Sequence, residues 1–348
     1  MKGTSLIRLC LILLLPLLWV GVQAQDSGSK GTIFDRSLHF TAKGMSYWYD
    51  KANGGLEVVS GVPYAQLGCQ DCHVATCDQC HVAKTDETAY STKAARNQEM
   101  CLTCHAREAS IFKIDKAANQ VDVHTANGMT CMDCHTAGEM HGNGTEFVSM
   151  KQSGAMEITC EKCHTPGASL SHTTHNGKVD CKACHDRQVV SCTNCHFETL
   201  VKEGKRVAMP VSGWMFLMNL DGKVTCANMQ SFVVKGKKTF IMFAPQHSHS
   251  VTAKGRTCEE CHATEAAKQA QRGNVKLTWL EGGKLQNLKG VVPVAANVKW
   301  GMAYHEREDG KWVPMSDALE PVLHYAGYGK PLTADQMKNL VKPQTGGK

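Results

Sequence analysis

The stretch Cys69-Gln-Asp-Cys72-His73-Val-Ala-Thr-Cys77-Asp-Gln-Cys80-His81 constrains this chain more than any other. It holds two copies of Cys-x-x-Cys-His, separated by three residues. The pattern returns at Cys101/Cys104/His105, Cys131/Cys134/His135, Cys160/Cys163/His164, Cys181/Cys184/His185, Cys192/Cys195/His196 and Cys258/Cys261/His262, which makes eight copies. Histidine is 17 of 348 residues, so its presence after every one of eight Cys-x-x-Cys pairs is not chance. The copies use 16 of the 18 cysteines, leaving Cys10 and Cys226.

A bare Cys-x-x-Cys fits a zinc knuckle, a redox pair or a structural disulfide, and none of these needs His directly after the second Cys. Cys-x-x-Cys-His is the attachment pattern of haem c: two thiols bond the porphyrin edge and the adjacent imidazole ligates the iron. The sequence therefore points to eight covalent haem c groups, with two macrocycles held side by side at residues 69–81.

Residues 1–24 read as a secretory signal. Lys2 and Arg8 form the positive region, Leu9 to Val20 the apolar core, and Val22-Gln-Ala24 a small-residue cleavage site. The apolar run is short for a membrane span, and no later stretch is long and apolar enough for one. The expectation is an exported protein, periplasmic, outer-membrane-associated or extracellular. The formal charge is +6, and removing Lys2 and Arg8 leaves +4. With ionised propionates on eight oxidised haems the holoprotein would carry roughly −4. No basic run with interleaved aromatics suggests nucleic-acid binding.

About 40 residues per haem is too little for a conventional core around each, so the haems are expected to supply the buried apolar surface and the unattached chain to be largely unfolded. The expected fold is mostly irregular and α, with little regular structure, organised around covalently bound haems. After the signal, 25–67 reads as an N-terminal wrapping segment whose Tyr47-Trp48-Tyr49 packs on porphyrin, and 68–200 as a seven-haem domain without a sheet. Residues 201–250 read as an insertion carrying a small antiparallel β-meander near 212–244, and 251–348 as a C-terminal segment with the eighth haem. Asp221-Gly222 and Lys235-Gly236 mark the meander's turns. Cys226 falls in its middle strand, as a buried inert thiol. Thr92 to Met100 reads as one helix. Thr333 to Gln336 reads as a capping box on a helix stopped at Pro343.

Beyond the eight motif histidines, nine remain: His39, His124, His141, His172, His175, His247, His249, His305 and His324. They suffice as distal ligands for eight irons with one to spare, the spare falling in the doublets His172/His175 or His247/His249. His124, His175 and His249 each sit just before a motif, suggesting turns that ligate a neighbouring haem. Which histidine serves which iron is not fixed by the sequence. Met100, Met129, Met132 and Met140 read as packing residues rather than ligands.

Over Cys69 to His262 the chain resembles the multihaem, octahaem c-type cytochromes of bacterial anaerobic respiration. The resemblance implies electron transfer through closely spaced, low-potential bis-His haems. A quinol-linked membrane cytochrome would be one partner; a terminal reductase or outer-membrane conduit would be the other, with self-association left open. The alternative is an octahaem oxidoreductase, similar to hydroxylamine oxidoreductase or tetrathionate reductase, acting on a small nitrogen or sulfur compound at one open iron. All eight motifs are standard and the chain is short for those enzymes, which favours the carrier over the enzyme.

Overall fold

The computed structural model describes residues 33–68, 73–83, 86–211 and 213–344. The expected signal segment, residues 1–24, lies outside the described residues, as do Cys69 and Cys72. With 34% helix and 24% strand, the chain does not have the irregular, haem-organised fold expected above. Its centre is a mixed sheet of seven strands.

The sheet's strands are β1 (Ser191–His196), β2 (Met209–Val211), β3 (Trp214–Leu220), β4 (Lys223–Val234), β5 (Lys238–Pro245), β6 (Gly290–Pro293) and β7 (Val322–Tyr325). β3, β4 and β5 form the antiparallel meander, pairing Leu217 with Cys226 and Met229 with Phe243. Its first turn is a two-residue loop between paired Leu220 and Lys223, with Asp221 and Gly222 both at positive φ. That conformation matches the twist of the flanking strands, and Gly reaches it without strain. The meander is the middle of the sheet rather than a small insertion. β6 joins β3 in parallel, β7 joins β5 in parallel, and β1 joins β4 in parallel with β2 antiparallel on its far side.

The run Trp214-Met-Phe-Leu-Met explains the difference. A strand apolar at every position must be covered on both faces. Trp214, Phe216 and Met218 pack with Ala266, Ala270, Val275 and Trp300. Met215 and Leu217 point the other way, to Ala183, Val189, Leu332 and Leu340. The cysteine-free C-terminal region supplies much of this cover and two of the parallel strands. A side-chain core is therefore present after all. It also overturns the expectation of no sheet before residue 197, because the seventh motif is itself β1.

Around the sheet, the cysteine-rich segment is a succession of short helices and turns. Thr92 to Met100 is broken into helices Thr92–Ala95 and Gln98–Leu102, because the Asn97 side chain caps the second. The C-terminal helix Ala334–Leu340 carries the Thr333/Gln336 capping box. Tyr47, Trp48 and Tyr49 turn to protein groups: Trp48 packs edge-on to Tyr328, and the Tyr49 hydroxyl donates to Val62 O. No helix among the described residues is long and apolar enough to cross a membrane.

Candidate functional site: paired histidines on cysteine turns

Six of the motifs share one local geometry. In five of them the His N–H donates to the carbonyl of the first Cys: His81 to Cys77, His105 to Cys101, His135 to Cys131, His164 to Cys160 and His262 to Cys258, at 2.8–3.0 Å. The sixth, Cys181–His185, is one short helix. A single helical turn puts residues i, i+3 and i+4 on one side, so both thiols and the imidazole address the same space. Caps written into the sequence start these turns. Thr130 with Asp133 and Thr257 with Glu260 are reciprocal capping boxes, and Asp180 and Asn97 accept from the N–H groups of Lys182 and Glu99.

Each of these six motif histidines faces a histidine from outside the motifs. The pairs are His81 with His141, His105 with His39, His135 with His249, His164 with His124, His185 with His172 and His262 with His175. Ring centroids lie between 6.0 and 6.3 Å apart in all six. Rings in direct contact sit anywhere from about 4.5 to 7 Å apart, whereas these six share one narrow spacing. A metal ion bridging two ring nitrogens, at bonds of about 2 Å each, gives centroids about 6 Å apart once the rings are added. The repeated spacing therefore fits one ion held between each pair.

Hydrogen bonds at Nδ1 set the tautomer. Glu139 Oε2 lies 2.8 Å from His135 Nδ1, and Thr252 O and Asn339 O lie 2.9 Å from those of His185 and His262. On the opposite rings, Gly167 O and Ser171 O take the same role at His172 and His175. A ring that donates from Nδ1 keeps the Nε2 lone pair free for a ligand bond. Burial holds His39 and His249 below the ordinary histidine value, which favours the neutral form that can ligate. These carbonyls escaped the sequence reading, since a backbone acceptor leaves no trace in composition. Glu139 alone had a signal, lying four residues after His135.

Chain crossings far apart in sequence make the pairs. The strand exit after β5 runs against the sixth motif, with Thr252 N–H on His185 O and Arg256 N–H on Cys184 O, and this places His249 opposite His135. Thiols of successive motifs lie near enough to perturb one another: Cys131 near Cys101, Cys163 near Cys134, Cys181 near Cys160 and Cys258 near Cys184. With Cys80 beside Cys101 and Cys104, the motifs at 77, 101, 131, 160, 181 and 258 are linked as neighbours.

His124, His175 and His249 each face a motif other than the one they precede. His247, His305 and His324 face no motif histidine among the described residues. His324 packs on Trp48 and Phe240, and burial lowers the pKa of all three. His73 is exposed, and the Val74 N–H donates to His39 O at 2.8 Å. His196 departs from the pattern: its Nε2 lies 2.7 Å from Glu306 Oε1 and its Nδ1 2.7 Å from Thr199 Oγ1. Cys226 is fully buried, and its thiol donates toward Gln246 O and Asp186 Oδ2.

Among the described residues no three His, Cys, Asp or Glu side chains converge as a metal-holding group, so the donors come in twos. A closed zinc site needs four. Comparison with protein-family models, curated proteins and solved structures finds no match to this chain.

Proposed function

We propose that this chain is an exported multihaem c-type cytochrome that passes electrons between partner proteins in an anaerobic respiratory chain. The observation that carries the reading is the set of six imidazole pairs, each joining a Cys-x-x-Cys-His histidine to one from elsewhere at 6.0–6.3 Å. Donor chemistry and spacing both fit a haem iron with nitrogen on each side and two thiols at the porphyrin edge.

Cys77 and Cys80 would hold one group with His81 and His141, and Cys101 and Cys104 a second with His105 and His39. Cys131 and Cys134 belong with His135 and His249, and Cys160 and Cys163 with His164 and His124. Cys181 and Cys184 belong with His185 and His172, and Cys258 and Cys261 with His262 and His175. Haem held by these residues would supply reversible one-electron oxidation and reduction, at low potential where two imidazoles hold it.

The protein's own part is to fix those ligands. Glu139, Thr252 O and Asn339 O orient three of the motif rings, and the short turns present the thiols. At these six motifs an imidazole stands on each side and leaves no face for a substrate, which favours a carrier over an oxidoreductase. A quinol-linked membrane cytochrome and a reductase or outer-membrane conduit are the partners such a carrier would serve.

Electron paramagnetic resonance of the fully oxidised protein, with and without nitrite and hydroxylamine, tests the reading. Low-spin ferric signals indifferent to both compounds are expected. A high-spin signal that shifts with either one would replace the carrier with an enzyme.

A further inference from the structure

We infer that the seventh motif, Cys192-Thr-Asn-Cys195-His196, is a structural strand and not a cofactor site, so that eight signatures hold at most seven covalent haems. The inference rests on the multihaem reading for the other motifs and departs from it here.

The backbone differs first. At the six paired motifs the cysteines lie on one helical turn. At the seventh they lie on β1, hydrogen-bonded to β2 on one side and β4 on the other. A bulge lies between Cys192 and Cys195, which pair with Gln230 and Phe232 of β4, so three residues of β1 span two of its neighbour. This returns both cysteines to one face of the sheet, and His196, paired with Val233, then turns to the other face. One macrocycle cannot take thiols from one face of a bonded sheet and an imidazole from the opposite face.

The side chains are committed as well. Cys195 is 3% exposed. Both His196 ring nitrogens are engaged, Nδ1 by Thr199 and Nε2 by Glu306, with Glu198 Oε2 at 3.8 Å from Nε2. Among the described residues no imidazole stands opposite His196 at the spacing the other six share. The residues between the cysteines are locked. Thr193 Oγ1 donates to Met209 O at 2.6 Å, Asn194 N–H donates to Ser231 Oγ at 2.9 Å, and Asn194 Oδ1 accepts from His305 N–H at 3.2 Å. Asn194 adopts φ +51°, a left-handed conformation that Asn tolerates better than most residues. The segment thus bolts the hairpin strand His305–Glu308 to the sheet through Asn194–His305 and His196–Glu306.

Tryptic digestion of purified holoprotein, after reduction and alkylation, isolates the segment between Arg187 and Lys202 as one peptide. The expected result is two alkylated cysteines and no haem adduct on it, with adducts on the peptides of the six paired motifs. An adduct on this peptide overturns the inference and leaves the proposed function standing; no adduct on any motif peptide removes both. A C192A/C195A double variant should keep the wild-type haem-to-protein ratio, measured by the pyridine haemochrome, whereas C104A should lose one haem. Loss of one haem in the double variant also overturns the inference.

Discussion

His135 and His249 face each other with ring centroids 6.3 Å apart, one in the fourth motif and the other on the strand exit before the eighth. Under the proposed function they would together hold the iron of one haem. Replacing His249 by Ala should leave that iron with one open side, and a new high-spin ferric signal equivalent to one haem should appear. Replacing it by Met should keep the iron low-spin and raise one midpoint potential, since Met/His ligation sits higher than bis-His. Spectroelectrochemistry reads the second effect. An unchanged spectrum in both variants would remove His249 from the ligand set.

The Glu139 side chain is shielded behind that pair. Its Oε2 meets His135 Nδ1, and its Oε1 accepts from the N–H groups of Glu157 and Ile158 at 2.6 and 2.8 Å. Burial pushes the carboxyl up, but these bonds outweigh it and hold the group below the usual glutamate range. Glu139→Ala leaves three donors without an acceptor. It should cost about 1–3 kcal/mol for each group that stays dry, seen as a lower denaturation midpoint. Glu139→Gln retains one acceptor oxygen and should lose less. Equal losses in the two variants would mean that packing, not hydrogen bonding, sets the residue's contribution.

The cysteine turns were legible because their information is local: Thr130, Asp133 and Cys131 lie within four positions. Which histidine meets which was not, because His135 finds His249 only after β5 has led the chain back across the sixth motif. The meander could be read from its clustered apolar and β-forming residues and the Asp221-Gly222 turn. Its enlargement to seven strands could not, since Gly290–Pro293 and Val322–Tyr325 are four-residue runs whose parallel partners lie far away in sequence. At residues 191–196 the cysteine signature hid a strand. Thr193 and Asn194, both fully buried, occupy the motif's unspecified positions, so nothing in the signature marks them as core residues.

Phe216 tests the two-faced strand. It is fully buried against Trp214 and Phe243, with centroids 5.4 Å away in each case. Phe216→Ala should cost about 3–5 kcal/mol, the range for emptying a core aromatic site. Chemical denaturation followed by far-ultraviolet circular dichroism measures it. A loss below about 1 kcal/mol, the scale of a surface change, would mean that the sheet is not the stability centre.

Cys226 offers a readout of that centre without a mutation. Burial pushes its thiol well above the ordinary cysteine value, and the nearby Asp186 carboxylate adds to the effect. Only the thiolate reacts, so alkylating reagents at pH 8 should leave Cys226 unlabelled in the folded protein. Labelling should begin with unfolding of β4. Rapid labelling of the native protein would show that the strand opens locally.

The chain made without haem attachment shows where folding stability resides. Cofactor surface as the main core would leave such a chain largely unfolded. The sheet, however, has its own side-chain clusters around Phe216, Ile241, Val292 and Trp300 on one face and Leu217, Val224 and Leu332 on the other. The cysteine turns between residues 131 and 180 contribute no side chain to either of those buried sets, apart from the flanking contact of Val179. The unattached chain should therefore keep strand-type circular dichroism and a protected Cys226. Limited proteolysis should cut first at Lys162 and Lys178, within the turns. Complete loss of strand signal, with Cys226 labelled at the unfolded rate, would mean that the sheet depends on the bound cofactors.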